Sequence, residues 1–370
     1  MKNKTIKLMK PNVGDLELKL VKEVIKSGNL VEGKMVREFE DTVKSFIGVE
    51  YAIACTSATT GLELTLRALK IGVGDEVIVP DFTHPASALV VQTVGASPII
   101  IDVDIESYNT TASMIEEAIT ENTKAIMPVS IFGNPLDMDP IMVLGDKYGI
   151  PIVEDAACSL GSIYKGKKVG AMADMTVFSF HPRKVFTTGD GGLIVTNNED
   201  YANLIVSMKK FGVGVLNGKS TFVRWGTNYR MSDILGAVAL AQSKRIEQIV
   251  KSRIQKAKIY NNLLNSIDEI VVPKIEEHST SNFQTYAILL KTDNRDLLLN
   301  EMRKRGIEVQ IGTYALHLLP VFYGITKFGN MKNSELLYNN LLALPIHASL
   351  TENEQHRVVD CIKELLGEYK

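Results

Sequence analysis

The sequence predicts an α/β protein built on a mainly parallel sheet with helices on both faces. Seven short apolar runs carry that expectation: YAIAC (51–55), EVIVP (76–80), SPIIID (97–102), KAIMPV (124–129), PIVED (151–155), TVFSF (176–180) and GLIVT (192–196). Each is rich in Val and Ile and apolar throughout, as a strand covered on both faces must be. Most gaps between them are long enough for a crossover helix.

The helix after the first run is expected in detail. Thr60-Gly-Leu-Glu63 reads as a capping box, in which the Thr hydroxyl and the Glu carboxylate satisfy end N–H groups reciprocally. Leu62, Leu66 and Leu69 then present one apolar face. Lys70, expected in the last turn, and Gly72 are stop signals. Beyond residue ~230 the texture changes. Ile234, Val238 and Ala241 recur at helical spacing, and residues 231–265 read as one long helix leading into a smaller domain. The expected division is a large domain over 1–250 and a smaller α+β domain over 251–370. The latter has strand-like runs at QTYAILL and EVQIGTY and an amphipathic C-terminal helix.

Composition narrows the function classes. The 370 residues are 45% hydrophobic and 23% charged, values of an ordinary globular protein. Forty-one bases against 43 acids leave a net charge of -2, with no basic stripe for nucleic acid. The apolar runs are far shorter than the ~20 residues that span a bilayer. No secretory signal is visible in MKNKTIKLMKP. Cys55, Cys158 and Cys361 form neither a disulfide framework nor a metal spacing, so a cytoplasmic location is expected, with no metal.

Ligands of open parallel sheets bind beyond the carboxyl ends of the strands. Polar residues follow four of the runs: Thr56-Ser57-Ala58-Thr59, Asp81-Phe82-Thr83-His84, the terminal Asp155, and His181-Pro182-Arg183-Lys184. The small Ser57-Ala58-Thr59 loop opens a helix and can bring N–H groups to a phosphate. It has neither the Walker Gly-Lys-Ser/Thr nor a G-x-G-x-x-G, which favours a single phosphate over a pyrophosphate and argues against an NAD enzyme. Asp155 closes an apolar strand and needs a cationic partner, unless it caps a helix opened by Ala156 and Ala157. Lys184, before the turn-forming Gly189-Asp-Gly-Gly192, suits Schiff-base chemistry.

The ordered set Ser57-Ala-Thr59, Asp81-Phe-Thr-His84, Glu154-Asp-Ala-Ala-Cys158, Ser179-Phe-His-Pro-Arg-Lys184, Gly189-Asp-Gly-Gly192 and Asn228-Tyr-Arg230 resembles the DegT/StrS family of pyridoxal-phosphate (PLP) nucleotide-sugar aminotransferases, fold type I. The resemblance runs from about residue 10 to the end. It includes Gly74-Asp-Glu-Val77, Leu316-His317 and Leu344-Pro-Ile-His347.

The resemblance implies that Lys184 forms the internal aldimine and then shuttles the proton of a quinonoid step. Asp155 pairs with the pyridine nitrogen. Ser179, Ala58 and Thr59 hold the phosphate, and His84 stacks on the ring. Cys158 lies near the 3′-oxygen, where many members carry Gln or His, and it is the weaker hydrogen-bonding group. Asn228 reaches the cofactor of a partner subunit in a homodimer with shared sites, and Arg230 and His317 contact substrate. The implied partners are a nucleotide-linked keto-sugar and glutamate. The rivals are another PLP enzyme on this scaffold, such as a sugar dehydratase or an amino-acid-directed enzyme, and a non-catalytic regulatory relative. The retained Lys184 argues against a dehydratase, and Lys184 with Asp155 against a non-catalytic relative. An assay of amine transfer from glutamate to a keto-sugar separates the amino-acid-directed enzyme.

Overall fold

The computed structural model of the protein describes residues 5–368. All seven apolar runs are strands, at Tyr51–Cys55, Glu76–Pro80, Ser97–Ile101, Thr123–Ile126, Val153–Asp155, Met175–Ser179 and Gly192–Thr196. In space they follow the order 51–55, 192–196, 175–179, 153–155, 123–126, 76–80, 97–101. The two halves are joined by parallel bridges between Ile126 and Ile152 and between Val129 and Asp155. A short strand, Lys327–Phe328, adds in parallel to 97–101 at the far edge. The sheet is mainly parallel, as expected. The exception is 192–196, which runs antiparallel to both neighbours. Its start, Gly192, therefore lies beside the ends of the other two strands, Cys55 and Ser179.

Alternation along these strands builds two faces. Ala54, Phe178, Leu193 and Val195 pack on one side with Phe39, Val43 and Leu240. Ile53, Val177 and Ile194 pack on the other with Leu62, Leu66 and Ile205. The covering helices are Lys34–Ile47 and Asp233–Ser243 on the first face and Ala58–Ala68 and Glu199–Met208 on the second. Asp233 also caps a neighbour: its carboxylate accepts from the N–H groups of Gly33, Met35 and Val36 at 2.9–3.2 Å. That satisfies the open end of helix Lys34–Ile47, which has no side-chain cap of its own.

Three local expectations are corrected. The helix after the first strand begins three residues earlier than the Thr60–Glu63 box implied. Ser57 is its N-cap, accepting from the Thr60 N–H, while the Thr60 hydroxyl accepts from the Ser57 N–H. Glu63 is released from capping and takes Arg67 and the Tyr229 hydroxyl, at 2.8 and 2.9 Å. At the other end of that helix, Lys70 lies beyond the last turn, in the left-handed region at φ 61°. Finally, residues 231–265 form two helices, Asp233–Ser243 and Ile246–Leu264. The break falls where Arg245 leaves helical geometry and its guanidinium pairs with the buried Glu17.

The C-terminal third has its own sheet, in the order 270–271, 286–290, 341–344, 310–311. Its core gathers Tyr260, Tyr286, Leu298 and Ile362, together with Ile6 from the start of the chain. The segment 314–331 returns to the first body. Tyr314–Ala315 pairs with Phe82–Thr83, and Leu316, Phe322 and Met331 join the large apolar core. This return brings residues 310–314 to the carboxyl edge of the large sheet.

Candidate active site

At that edge lies a cavity of about 350 Å³, within the roughly 300–1,000 Å³ of small-molecule sites. Its wall includes Ala58, Thr59, His84, Asp155, Cys158, Ser179 and Lys184, all expected from the sequence. It is completed from the C-terminal third by Gln284, Thr285 and the 310–314 segment.

The amino end of helix Ala58–Ala68 forms one wall. A Cβ on Gly192 would stand 2.4 Å from the backbone of Ser57, so only glycine lets strand 192–196 approach the loop this closely. Helix-end N–H groups and the macrodipole favour an anion there. Thr59 and Ser179 line the same cavity.

Asp155 is buried at the end of its strand. Its Oδ2 accepts from Ser87 Oγ at 2.7 Å and its Oδ1 from the Ala157 N–H at 3.1 Å. No helix follows it, so it closes a turn instead of capping a helix. Among the described residues it has no ion-pair partner. A buried carboxylate held by two donors and facing a cavity is suited to a cationic ligand atom.

Lys184 sits in the turn after strand 175–179, where its N–H donates to His181 O at 2.8 Å. Its Nζ donates to Cys158 Sγ at 3.1 Å. The Cys158 thiol thus faces the lysine. His84 lines the cavity, accepting the Ala86 N–H on Nδ1 and meeting Tyr314 edge-on. Burial and then the Lys184 charge hold its pKa below the ordinary histidine value, which favours the neutral ring.

Glu154, on the opposite face of the strand, is fully buried. It accepts from Ser130 Oγ at 2.5 Å and Thr176 Oγ1 at 3.4 Å. Burial pushes its pKa up to about 7, with the Asp155 charge adding to the effect. The folded protein therefore holds this proton to a higher pH than the unfolded chain. The stability it contributes is complete below about pH 4.5 and is lost as pH rises through about 7. Glu154→Gln, a neutral mimic, should gain on the order of 3 kcal/mol relative to wild type between pH 5 and 8. Paired denaturant titrations across that range check this, and a pH-independent difference would refute it.

Three expected site residues lie outside the cavity wall. Asn228 is exposed and bridges Lys210, with its Oδ1 accepting from Arg230 Nε at 3.0 Å. Arg230 also covers the Phe211 ring. His317 turns to the buried Asp81, with Nδ1 2.7 Å from Oδ2 and the backbone N–H donating to Oδ1 at 2.8 Å. Sequence reasoning overlooked Ser87, Gln284 and Gln310. Gln284 carried a usable signal, as an amide opening the apolar strand run QTYAILL. Ser87 gave none, being one small residue in an ordinary helix.

The profile of the DegT/DnrJ/EryC1/StrS aminotransferase family matches residues 11–363. The chain belongs to this family. It is 35% identical over 338 residues to GDP-perosamine synthase from Caulobacter vibrioides, covering 90% of this chain and 91% of that protein. It is 35% identical over 375 residues to protein MJ1066 of Methanocaldococcus jannaschii, covering 97% of each. Spr1654 of Streptococcus pneumoniae, solved in PLP and PMP forms, aligns with a TM-score of 0.93 at 27% identity, over 98% of this chain and 99% of that one. The protein is thus a PLP-dependent aminotransferase of a sugar-aminotransferase family, with the fold expected from the sequence. Among the described residues no helix is long and apolar enough to cross a membrane, and no cluster of metal-ligating side chains occurs.

Proposed function

We propose that the protein transfers an amino group from glutamate to a nucleotide-linked keto-deoxysugar, in cell-surface polysaccharide or other amino-sugar biosynthesis. The observation that carries the reading is the meeting of Lys184, Asp155 and the amino end of helix Ala58–Ala68 in one cavity. These residues suit PLP: an amine for its aldehyde, a buried acid for its ring nitrogen, and a helix end with Thr59 and Ser179 for its phosphate. When bound, PLP supplies an electron sink for the amine-bearing carbon. Lys184 attaches the cofactor and then takes and returns a proton at Nζ. Asp155 would face the ring nitrogen and hold it protonated. His84 offers an uncharged flat face, and Cys158 keeps a hydrogen-bond acceptor beside Nζ.

A homodimer with shared sites is part of the proposal. The hairpin of Val213–Leu216 and Lys219–Phe222 exposes Val213, Val215 and Phe222 on one face, with Val213 paired opposite Phe222. Clustered apolar exposure of this kind marks an association surface. The segment carrying Asn228 and Arg230 adjoins it and is tied to the phosphate loop by the Thr56 N–H to Tyr229 O bond. The unpaired thiols of Cys55, Cys158 and Cys361 fit a reducing cytoplasm.

Incubating the PLP-loaded protein with glutamate and a panel of nucleotide keto-sugars tests the reaction. The expected result is 2-oxoglutarate formed together with an amino-sugar nucleotide. Transamination confined to free keto acids, with every sugar refused, would overturn the substrate assignment.

A further inference from the structure

Residues 281–285 form a buried strap from the C-terminal third that reaches both turns meeting at the Lys184 amine. Asn282 Nδ2 donates to the carbonyls of Cys158 and Leu160, each at 2.9 Å. Its backbone N–H donates to Ser162 Oγ at 3.0 Å. Two residues on, Gln284 Nε2 donates to the carbonyl of Arg183 at 2.8 Å. Cys158 and Arg183 matter here because Cys158 Sγ accepts from Lys184 Nζ and Arg183 immediately precedes Lys184.

The strap is fixed from behind. Phe283, between the two amides, has φ 47°, a left-handed conformation that a bulky residue adopts only under constraint. Arg253, itself 2% exposed, supplies that constraint. Its Nε donates to Phe283 O at 3.0 Å and its Nη2 to Gln284 O at 2.6 Å. A Cβ on Gly133 would lie 1.9 Å from Asn282 Oδ1, so the facing backbone must be glycine for the strap to seat. Strained, buried backbone held by hydrogen bonds beside a cavity is a pattern of functional sites.

We propose that Gln284 and Asn282 are positioning residues that set the Lys184 amine against the cofactor by clamping the Lys184 and Cys158 turns together. The proposal rests on Lys184 being the cofactor lysine. Gln284 is the sharper probe. Its side-chain donor closes no turn of its own and goes only to the turn that carries the lysine.

The test compares Gln284→Met, which keeps the volume and loses the donor, with Gln284→His, which keeps an N–H at similar reach. Two quantities are read by absorbance: the rate at which added PLP attaches to the apoprotein, and the pH midpoint of the bound-cofactor band. We expect Gln284→Met to attach PLP about tenfold more slowly, as for a misplaced reacting group, and to shift the midpoint. Gln284→His should restore both, and the melting midpoints of all three apoproteins should agree within a few degrees. Wild-type rate and midpoint in Gln284→Met, or losses equally large in Gln284→His, would overturn the proposal. Failure of the lysine reading shows separately, as borohydride-stable attachment of PLP to Lys184→Ala.

Discussion

Lys184→Ala should lose covalent attachment of PLP and at least about 10³-fold in turnover while staying folded. The expected loss is large because, in the proposed role, one amine would serve as attachment point and as acid–base group, and positioned proton transfer alone is worth 10²–10⁴-fold. The fold should survive because the Lys184 side chain is only partly buried and gives up one hydrogen bond, to Cys158 Sγ. The melting midpoint should move by only a few degrees. PLP should still bind without the covalent link, through the helix end and the Thr59 and Ser179 hydroxyls. Wild-type transamination by this variant would sink the assignment. The same variant tests the shared site. Mixed under subunit exchange with an inactive Asn228 variant, it should regain activity, since a heterodimer places both lesions in one site and leaves the other intact. No recovery despite proven exchange would confine Asn228 to its observed contacts with Lys210 and Arg230.

The sheet was legible because doubly covered strands must be apolar along their whole length, and seven such runs stand apart from amphipathic helices. The antiparallel placement of Gly192–Thr196 was not legible, since direction leaves no mark on a uniformly apolar run. The capping box was misplaced because Ser57 and Thr60 both head a plausible cap. Side-chain contacts decide between them: Arg67, one turn on in the same helix, and Tyr229, distant in sequence, claim Glu63. The half of the site built on the large sheet could be read because its residues follow strands in sequence. In the half contributed by 281–285 and 310–314 only the Gln284 amide, opening the run QTYAILL, left a mark, because long-range packing brings those residues to the cavity. His317 shows the converse. It falls in a motif suggestive of substrate contact, yet the buried Asp81 carboxylate, unseen as a partner in the sequence, holds both its ring and its backbone N–H.

Asp155→Asn should lower kcat by about 10²-fold or more, as expected when a charge aimed at the reacting system is removed, with little change in KM. The surroundings of Asp155 make this a clean substitution. Asn is nearly the same shape, and its carbonyl oxygen can keep the Ala157 N–H that Oδ1 now accepts at 3.1 Å. Its amide can donate to Ser87 Oγ in place of the present 2.7 Å bond from that hydroxyl. Ser87 can then turn its proton to Thr83 Oγ1, 3.2 Å away. The neighbouring bonds therefore persist, and what disappears is the negative charge. If that charge keeps the cofactor ring protonated, its loss is felt most where electron density flows into the ring, so the transition state suffers more than the bound ground state. Steady-state kinetics separate the alternatives. A fall in kcat at nearly constant KM, with PLP still bound and the melting midpoint unchanged, is the expected result. A rise in KM at constant kcat would make Asp155 a residue that only binds or closes its turn, and the role given to it here would be wrong.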